Sequence, residues 1–283
     1  MLEPVPEGDT IYRLAERLRP ALVDRRIVDA KIAVAEIRES HVVGSSVVAV
    51  SARGKNLLIG LSNGLTLHTH LMMHGAWHLY ARGERWRMPS FRLRIALMTE
   101  EAEAVCFGAP VVRMLRTDRI DKDPKLSALG PDVLGGAFDA NEAARRISQN
   151  PDRTIAEALL DQRAVAGIGN VLKSEILFLA KVHPEVAVGL LGEAELAAIF
   201  EITSSVMSRA VAPGRARRFA LPGRVTRVTS RSQMGRGGEL WVYERRGEPC
   251  FVCGTPIERI TQGEDARSTY FCPKCQPASQ ETR

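Results

Sequence analysis

The strongest constraint in the chain lies near its C-terminus. Cys250-Phe-Val-Cys253 is followed, after eighteen intervening residues, by Cys272-Pro-Lys-Cys275. Each Cys-x-x-Cys pair sets two thiolates on one side of a tetrahedral Zn²⁺, and the spacer is long enough for a β-hairpin that returns the second pair to the same ion. Two disulfides or a redox pair would share the spacing. The first residues, however, lack the apolar core of a secretory signal, and two redox motifs in one short segment are a poor account of it. Cys250, Cys253, Cys272 and Cys275 are therefore expected to hold one structural zinc. With all four positions filled by protein, the metal supports structure and leaves chemistry to other residues. A finger this small buries no core without its metal.

Charge suggests what the finger serves. Lys+Arg exceed Asp+Glu by 39 to 33 in a chain of 283 residues, and the sequence pI is about 9.3. From Arg209 to Arg246 there are ten arginines against two acids, Glu239 and Glu244, and this run leads into the finger. Phosphate backbone is its natural partner, against the alternative of a solvated basic loop. No apolar run approaches a membrane span, so no membrane partner and a cytoplasmic location are expected. Cys106, the fifth cysteine, reads as a small buried hydrophobe.

The length suits two domains. Residues 7–22 have helical spacing at Ile11, Leu14, Ala15, Leu18 and Leu22, with Thr10 or Asp9 as cap. Short β-rich runs follow at 27–28, 32–34, 42–43, 47–50, 57–59, 65–67, 91–98 and 104–107, which predicts an antiparallel sandwich or barrel. The Gly-rich stretch from Leu129 opens a linker, set at 129–150. Helices are then predicted over 154–160, capped by Asp152 or Arg153, over 170–180 and over 193–211. Between the first two lies Gly167-Ile-Gly-Asn170, a turn whose backbone N–H groups at a helix start suit a phosphate. Residues 212–238, rich in Arg, Gly and Pro, are expected to order on a partner, and Leu240-Trp-Val-Tyr243 reads as a strand entering the finger.

Three segments, in order, carry a resemblance: Pro6-Glu-Gly-Asp-Thr10, Leu160-Asp-Gln-Arg-Ala-Val-Ala-Gly-Ile-Gly-Asn170, and Gly247-Glu-Pro-Cys250 with its finger. Together they resemble the bacterial formamidopyrimidine-DNA glycosylase/endonuclease VIII family over almost the whole chain. The resemblance implies an α+β multidomain protein. Its parts are an N-terminal helix with an antiparallel β-sandwich over 6–128, a helix-two-turn-helix domain over 151–222, and a zinc-finger β-hairpin over 240–278. It implies base-excision repair: an oxidised base is flipped from double-stranded DNA, its glycosidic bond is cut, and the abasic strand is nicked by β,δ-elimination. Pro6 would be the nucleophile and Glu7 the general acid/base.

That mechanism needs a free proline amine. As written, Pro6 follows Met-Leu-Glu-Pro-Val, so its nitrogen is an amide. The expectation is that translation starts at position 5, on a GUG codon read as valine, and that removal of the initiator exposes Pro6. The rival is a chain truly extended at this end, which would bind damaged DNA without lyase activity.

The remaining site residues come from the same resemblance. Lys55, in the turn Arg53-Gly-Lys-Asn56, would reach phosphate and sugar beside the lesion. Read alone, it is an ordinary hairpin lysine. Met72, Met73 and His74 would fill the gap left by the flipped nucleotide, methionine being an apolar and flexible wedge. They sit in a segment with four of the six histidines, whose metal reading is opposed by a strand-and-turn setting with no carboxylate nearby. Asn170 and Arg267 would bind phosphate, and Glu175 would be an active-site carboxylate near the nucleophile. The stretch Cys106-Phe-Gly-Ala-Pro lacks the Arg-x-Phe-Gly form of the oxidised-purine branch, while Gly75-Ala-Trp77 looks like endonuclease VIII. Oxidised pyrimidines are thus the expected substrates, with the oxidised-purine branch as alternative. A monomer is expected, since one flipped nucleotide needs one active site.

Overall fold

The structure is a computed structural model that describes residues 6–212, 219–221, 224–226 and 240–278. It divides into two compact units, Met1–Ala128 and Leu129–Arg283.

The first unit opens with helix α1, Gly8–Leu22, whose buried face is Ile11, Leu14, Ala15, Leu18 and Leu22. Its N-cap is Glu7; Asp9 and Thr10, expected as caps, are buried in the first turn instead. Eight strands follow: β1 Asp29–Ile32, β2 Val47–Arg53, β3 Asn56–Leu61, β4 Leu65–His70, β5 Ala76–Ala81, β6 Leu93–Met98, β7 Ala102–Phe107 and β8 Val111–Arg116. They form two antiparallel four-stranded sheets, ordered β2-β3-β4-β8 and β1-β6-β7-β5. One core cluster draws Ile11 and Leu18 from α1, Ile59 and Leu67 from the first sheet, and Ile95 and Cys106 from the second. The apolar stripe of α1 and the inner faces of the sheets thus leave water together. Cys106 is fully buried, and burial pushes its thiol up. Val42 and Val43, read as a strand, instead follow a 3-10 turn over Glu39–His41.

The second unit is helical. The expected linker over 129–150 is corrected. It carries α3, Ala140–Ile147, and it places Val133, Ala143 and Ile147 in the core; the helix starts where Asp139 accepts from the Glu142 amide. Before it, α2 is the single turn Pro124–Ser127 that closes the first unit. Next come α4, Ile155–Leu160, α5, Asn170–Ala180, and α6, Glu193–Val211. The α4 cap is Thr154 in a capping box with Glu157, one residue beyond the expected Arg153. A short pair follows, β9 Phe219–Leu221 with β10 Arg224–Thr226. The rest of the Arg-rich stretch expected to order on its partner lies outside the described residues. The finger ends in the hairpin β11 Glu258–Gln262 and β12 Arg267–Phe271. Residues 240–243, expected as a strand, form a turn whose amides bond elsewhere.

Helix α5 joins these parts. Val171 through Phe178 are all buried, including Lys173, Ser174 and Glu175. A helix buried on every side is ordinarily apolar, so three polar residues in one turn have to be satisfied internally.

Candidate nucleic-acid interface and active site

In the first unit, α1 begins directly after Pro6 and Glu7. The Glu7 carbonyl accepts from Thr10 and Ile11, and its side chain, fully buried, makes no capping bond. Residues 1–5, and with them the expected start at Val5, lie outside the described residues.

Lys55 occupies a two-residue hairpin loop between β2 and β3, whose flanking pair is Arg53 with Asn56. Gly54 has φ +56°, and Lys55 is absent from the positive-φ residues. A positive φ at the first loop residue alone is the type II′ pattern, which calls for glycine there. The loop is braced on both sides. Arg53 pairs with Asp121 at 2.8 Å, and the Asn56 amide donates to the Arg53 carbonyl at 3.0 Å.

The loop with the expected wedge residues Met72, Met73 and His74 joins β4 to β5. Met72 and Met73 keep 50% and 45% exposure. Met72 adopts φ +49°, and its amide donates to His70 Nδ1 at 3.2 Å. Arg92 donates to the His74 carbonyl at 2.7 Å. A Cβ on Gly75 would sit 2.6 Å from the Leu71 carbonyl oxygen and 2.9 Å from Ala109 Cα, so the loop closes only over glycine. Burial, then the Lys55 and Lys125 charges, lower His70 from the usual 6.5 to about 4. His68, lowered first by burial and then by Arg113, also falls to about 4.

In the second unit, α4, the turn 161–169 and α5 make a helical corner. Gln162 pins that turn, donating to the Leu160 and Ile168 carbonyls, both at 2.9 Å, and accepting from Gly167 N at 3.1 Å. Asn170 is the first residue of α5. Its Oδ1 accepts from Lys173 Nζ at 2.7 Å, so the donating end of its side-chain amide faces away from that ammonium. The same Lys173 Nζ donates to Thr269 Oγ1 at 2.7 Å and to the Ser268 carbonyl at 3.3 Å. Arg267, half exposed beside Asp265, starts that same strand β12. One buried ammonium therefore ties Asn170 to the hairpin that carries Arg267.

Glu175 requires a correction. Trp241 N donates to one of its oxygens at 2.7 Å, and Val242 N and Tyr243 N donate to the other at 2.9 and 3.0 Å. Burial pushes its carboxyl up, opposed by these three amides. Having no exposed surface and both oxygens engaged, it anchors the entry to the finger rather than serving as a catalytic carboxylate. Lys173 and Glu175 as internal ties escaped sequence reading. The available signal was a Lys-Ser-Glu triplet inside an otherwise apolar helix.

The four cysteine sulfurs lie within 4.8 Å of one another, with Cys250–Cys275 at 3.9 Å and Cys253–Cys272 at 3.5 Å. Tetrahedral thiolates about 2.3 Å from zinc stand roughly 3.8 Å apart, so the set fits one structural Zn²⁺. Beside it, Arg245 is buried, its guanidinium 3.3 Å from the Phe251 ring centroid and bonded to the Trp241 and Pro249 carbonyls. This arginine of the basic run supports the finger and is not a phosphate contact.

Three family profiles match: the formamidopyrimidine-DNA glycosylase N-terminal domain over residues 5–110, the formamidopyrimidine-DNA glycosylase H2TH domain over 129–219, and the zinc finger found in FPG and IleRS over 247–278. "Probable endonuclease 8 2" of Streptomyces coelicolor is 38% identical over 275 residues, covering 96% of this chain and 94% of that protein. The chain belongs to the formamidopyrimidine-DNA glycosylase/endonuclease VIII family. Among family members, "DNA-(apurinic or apyrimidinic site) lyase Nei2" of Mycolicibacterium smegmatis is 34% identical over 97% of this chain and 100% of its own. "Formamidopyrimidine-DNA glycosylase" of Listeria innocua is 36% identical over 96% and 98%. The fold matches a Lactococcus lactis family member crystallised with an N7-benzyl-Fapy-dG DNA, with TM-score 0.79, 22% identity and coverage of 96% of this chain and 100% of that one. The chain is thus a family member of the DNA glycosylase/lyase type, nearer the endonuclease 8 proteins, and no helix among the described residues is long and apolar enough to cross a membrane.

Two outcomes follow from this geometry. Below about pH 6.5 the unfolded chain takes up protons at His68 and His70 that the folded chain refuses until about 4, so stability falls as pH drops through that window. Urea unfolding of the N-terminal unit at pH 7.5 and at pH 5, both about those values, checks this, with lower stability at the acid condition expected. Glu175→Gln turns an amide NH₂ toward main-chain donors and should cost about 1–3 kcal/mol, read as a lower urea midpoint for the C-terminal unit.

Proposed function

We propose that the protein is a bifunctional DNA glycosylase and abasic-site lyase that removes oxidised pyrimidines from double-stranded DNA. The observation that carries the choice of branch is a contrast between two loops of the first unit. Met72 and Met73 are half exposed, whereas Phe107 and Ala109, at 0% and 1% exposure, are buried where β7 turns toward β8. That turn leaves Pro110 exposed and supplies no arginine or phenylalanine for a second insertion into the duplex, as the oxidised-purine branch would use. A single wedge loop supports the endonuclease VIII reading.

In this reading Pro6 is the first residue of the active chain. Its secondary amine, with a pKa of about 8, is neutral in a useful fraction near neutral pH. The amine nitrogen attacks the sugar C1′, the base leaves with the electrons of the glycosidic bond, and the amine gives up its proton; its lone pair then forms the iminium as the bond from C1′ to the ring oxygen breaks. Glu7 protonates the ring oxygen as the sugar opens. The iminium then draws electrons from C2′, whose proton is lost as the 3′ phosphate departs; a second elimination releases the 5′ phosphate. Lys55, Asn170 and Arg267 hold the phosphates around the lesion. Met72, Met73 and His74 occupy the gap in the stack, offsetting part of the few kcal/mol that extrusion costs. Zinc holds the finger and takes no part in these steps. The protein acts as a cytoplasmic monomer.

Borohydride trapping on an abasic-site duplex tests the nucleophile. Protein beginning at Pro6 should give a covalent adduct and protein beginning at Met1 none; an equal adduct from both would remove Pro6 from the mechanism. On matched duplexes, thymine glycol or dihydrouracil should be excised faster than 8-oxoguanine opposite cytosine. The reverse order would assign the protein to the oxidised-purine branch.

A further inference from the structure

The first unit contains a partly buried polar chain that the proposed mechanism does not use. Asp123 pairs with Arg113 through two bonds of 3.0 and 3.1 Å. Arg113 donates to His68 Nδ1 at 2.9 Å. His68 Nε2 lies 2.8 Å from Asn56 Oδ1, and Asn56 Nδ2 donates to the Arg53 carbonyl at 3.0 Å. Asn56 and His68 are buried, at 8% and 1% exposure. The chain crosses three adjacent strands, from β8 through β4 to β3, and ends on the Gly54–Lys55 turn.

Its direction is fixed by chemistry. A guanidinium only donates, so His68 Nδ1 has to accept and the ring proton sits on Nε2. Nε2–H then donates to Asn56 Oδ1, which orients the amide so that Nδ2 faces the Arg53 carbonyl. Protonation would set an N–H against Arg113, in keeping with the low pKa of His68, about 4. Every member is satisfied, the condition under which a buried network rigidifies its surroundings. Both residues flanking the loop are gripped: Asn56 by this chain, and Arg53 also by Asp121. Both acid anchors, Asp121 and Asp123, lie in one short segment after β8.

We propose that Asn56, His68 and Arg113, anchored on Asp123, are positioning residues that hold the Gly54–Lys55 turn and so aim Lys55 at the lesion phosphate. The proposal rests on the reading that Lys55 acts in the reaction. It gives the chain a means of fixing a flexible lysine to the precision that phosphate and sugar require, since misplacement of about 1 Å can cost up to about a hundredfold in rate.

A double-mutant cycle with Lys55→Ala tests it, using single-turnover cleavage of an abasic-site duplex, with melting temperature as a folding control. In the Lys55 protein, His68→Phe should slow cleavage by about tenfold, and His68→Gln, which can accept from Arg113 and donate to Asn56, should recover to within about threefold. In the Lys55→Ala protein, His68→Phe should add less than about twofold. The same loss in both backgrounds, or none in the Lys55 protein, would overturn the relay while leaving Lys55 its role. No effect of Lys55→Ala itself would overturn both. If His68→Phe does not fold, Asn56→Ala takes its place in the same cycle, with the same outcomes.

Discussion

The ammonium of Lys173 is the interaction on which the arrangement of the second unit depends. It is fully buried and draws together Asn170 at the start of α5, the Ser268 carbonyl and the Thr269 hydroxyl of the finger hairpin. Its neighbours in the same turn continue the tie. The Ser174 hydroxyl accepts from Tyr270 N, and Glu175 takes the amides of residues 241–243. Zinc closes the finger on itself, but zinc ligands alone do not say where a finger stands. The polar turn of α5 supplies that placement, so two phosphate-binding candidates 97 positions apart, Asn170 and Arg267, are held by one helix. Buried charges of this kind add little net stability against apolar packing, and their use lies in fixing one arrangement.

The first unit follows the same logic with different chemistry. Its sandwich has an apolar core, and its two candidate DNA-facing loops are short. Each is held from beneath by polar bonds from β4. His68 braces the Lys55 turn through Asn56, and His70 accepts from the amide of Met72 in the wedge loop. Both histidines stay neutral because burial and nearby cations oppose their charging. A neutral imidazole can accept at one nitrogen and donate at the other, a use that a charged ring would lose.

Much of this was legible in the sequence, for reasons that differ by element. The zinc site was legible because tetrahedral coordination demands particular residues at particular spacing. Helices α1 and α6 were legible because their apolar residues recur with the helical period, and α5 because a Gly-Asn turn marks its start. Strand β8 was missed because Arg113 and Arg116 interrupt its apolar run, and Arg113 is acceptable there only because Asp123 meets it. Strand β5 was hidden in a histidine-rich segment. Residues 240–243 read as a strand because Leu, Trp, Val and Tyr favour one, yet their amides face a carboxylate 66 to 68 positions away. The same distance explains why Glu175 reads in the sequence as an active-site carboxylate: nothing local marks a glutamate whose partners lie in another segment.

The most direct test of this account is the affinity of a Lys173→Met protein for a duplex with a tetrahydrofuran abasic site, measured beside its zinc content. Methionine keeps the packing volume and removes the ammonium. The account predicts one zinc per chain retained and affinity weakened by about tenfold or more, because Asn170 and Arg267 lose their common support. Wild-type affinity at full zinc content would contradict it.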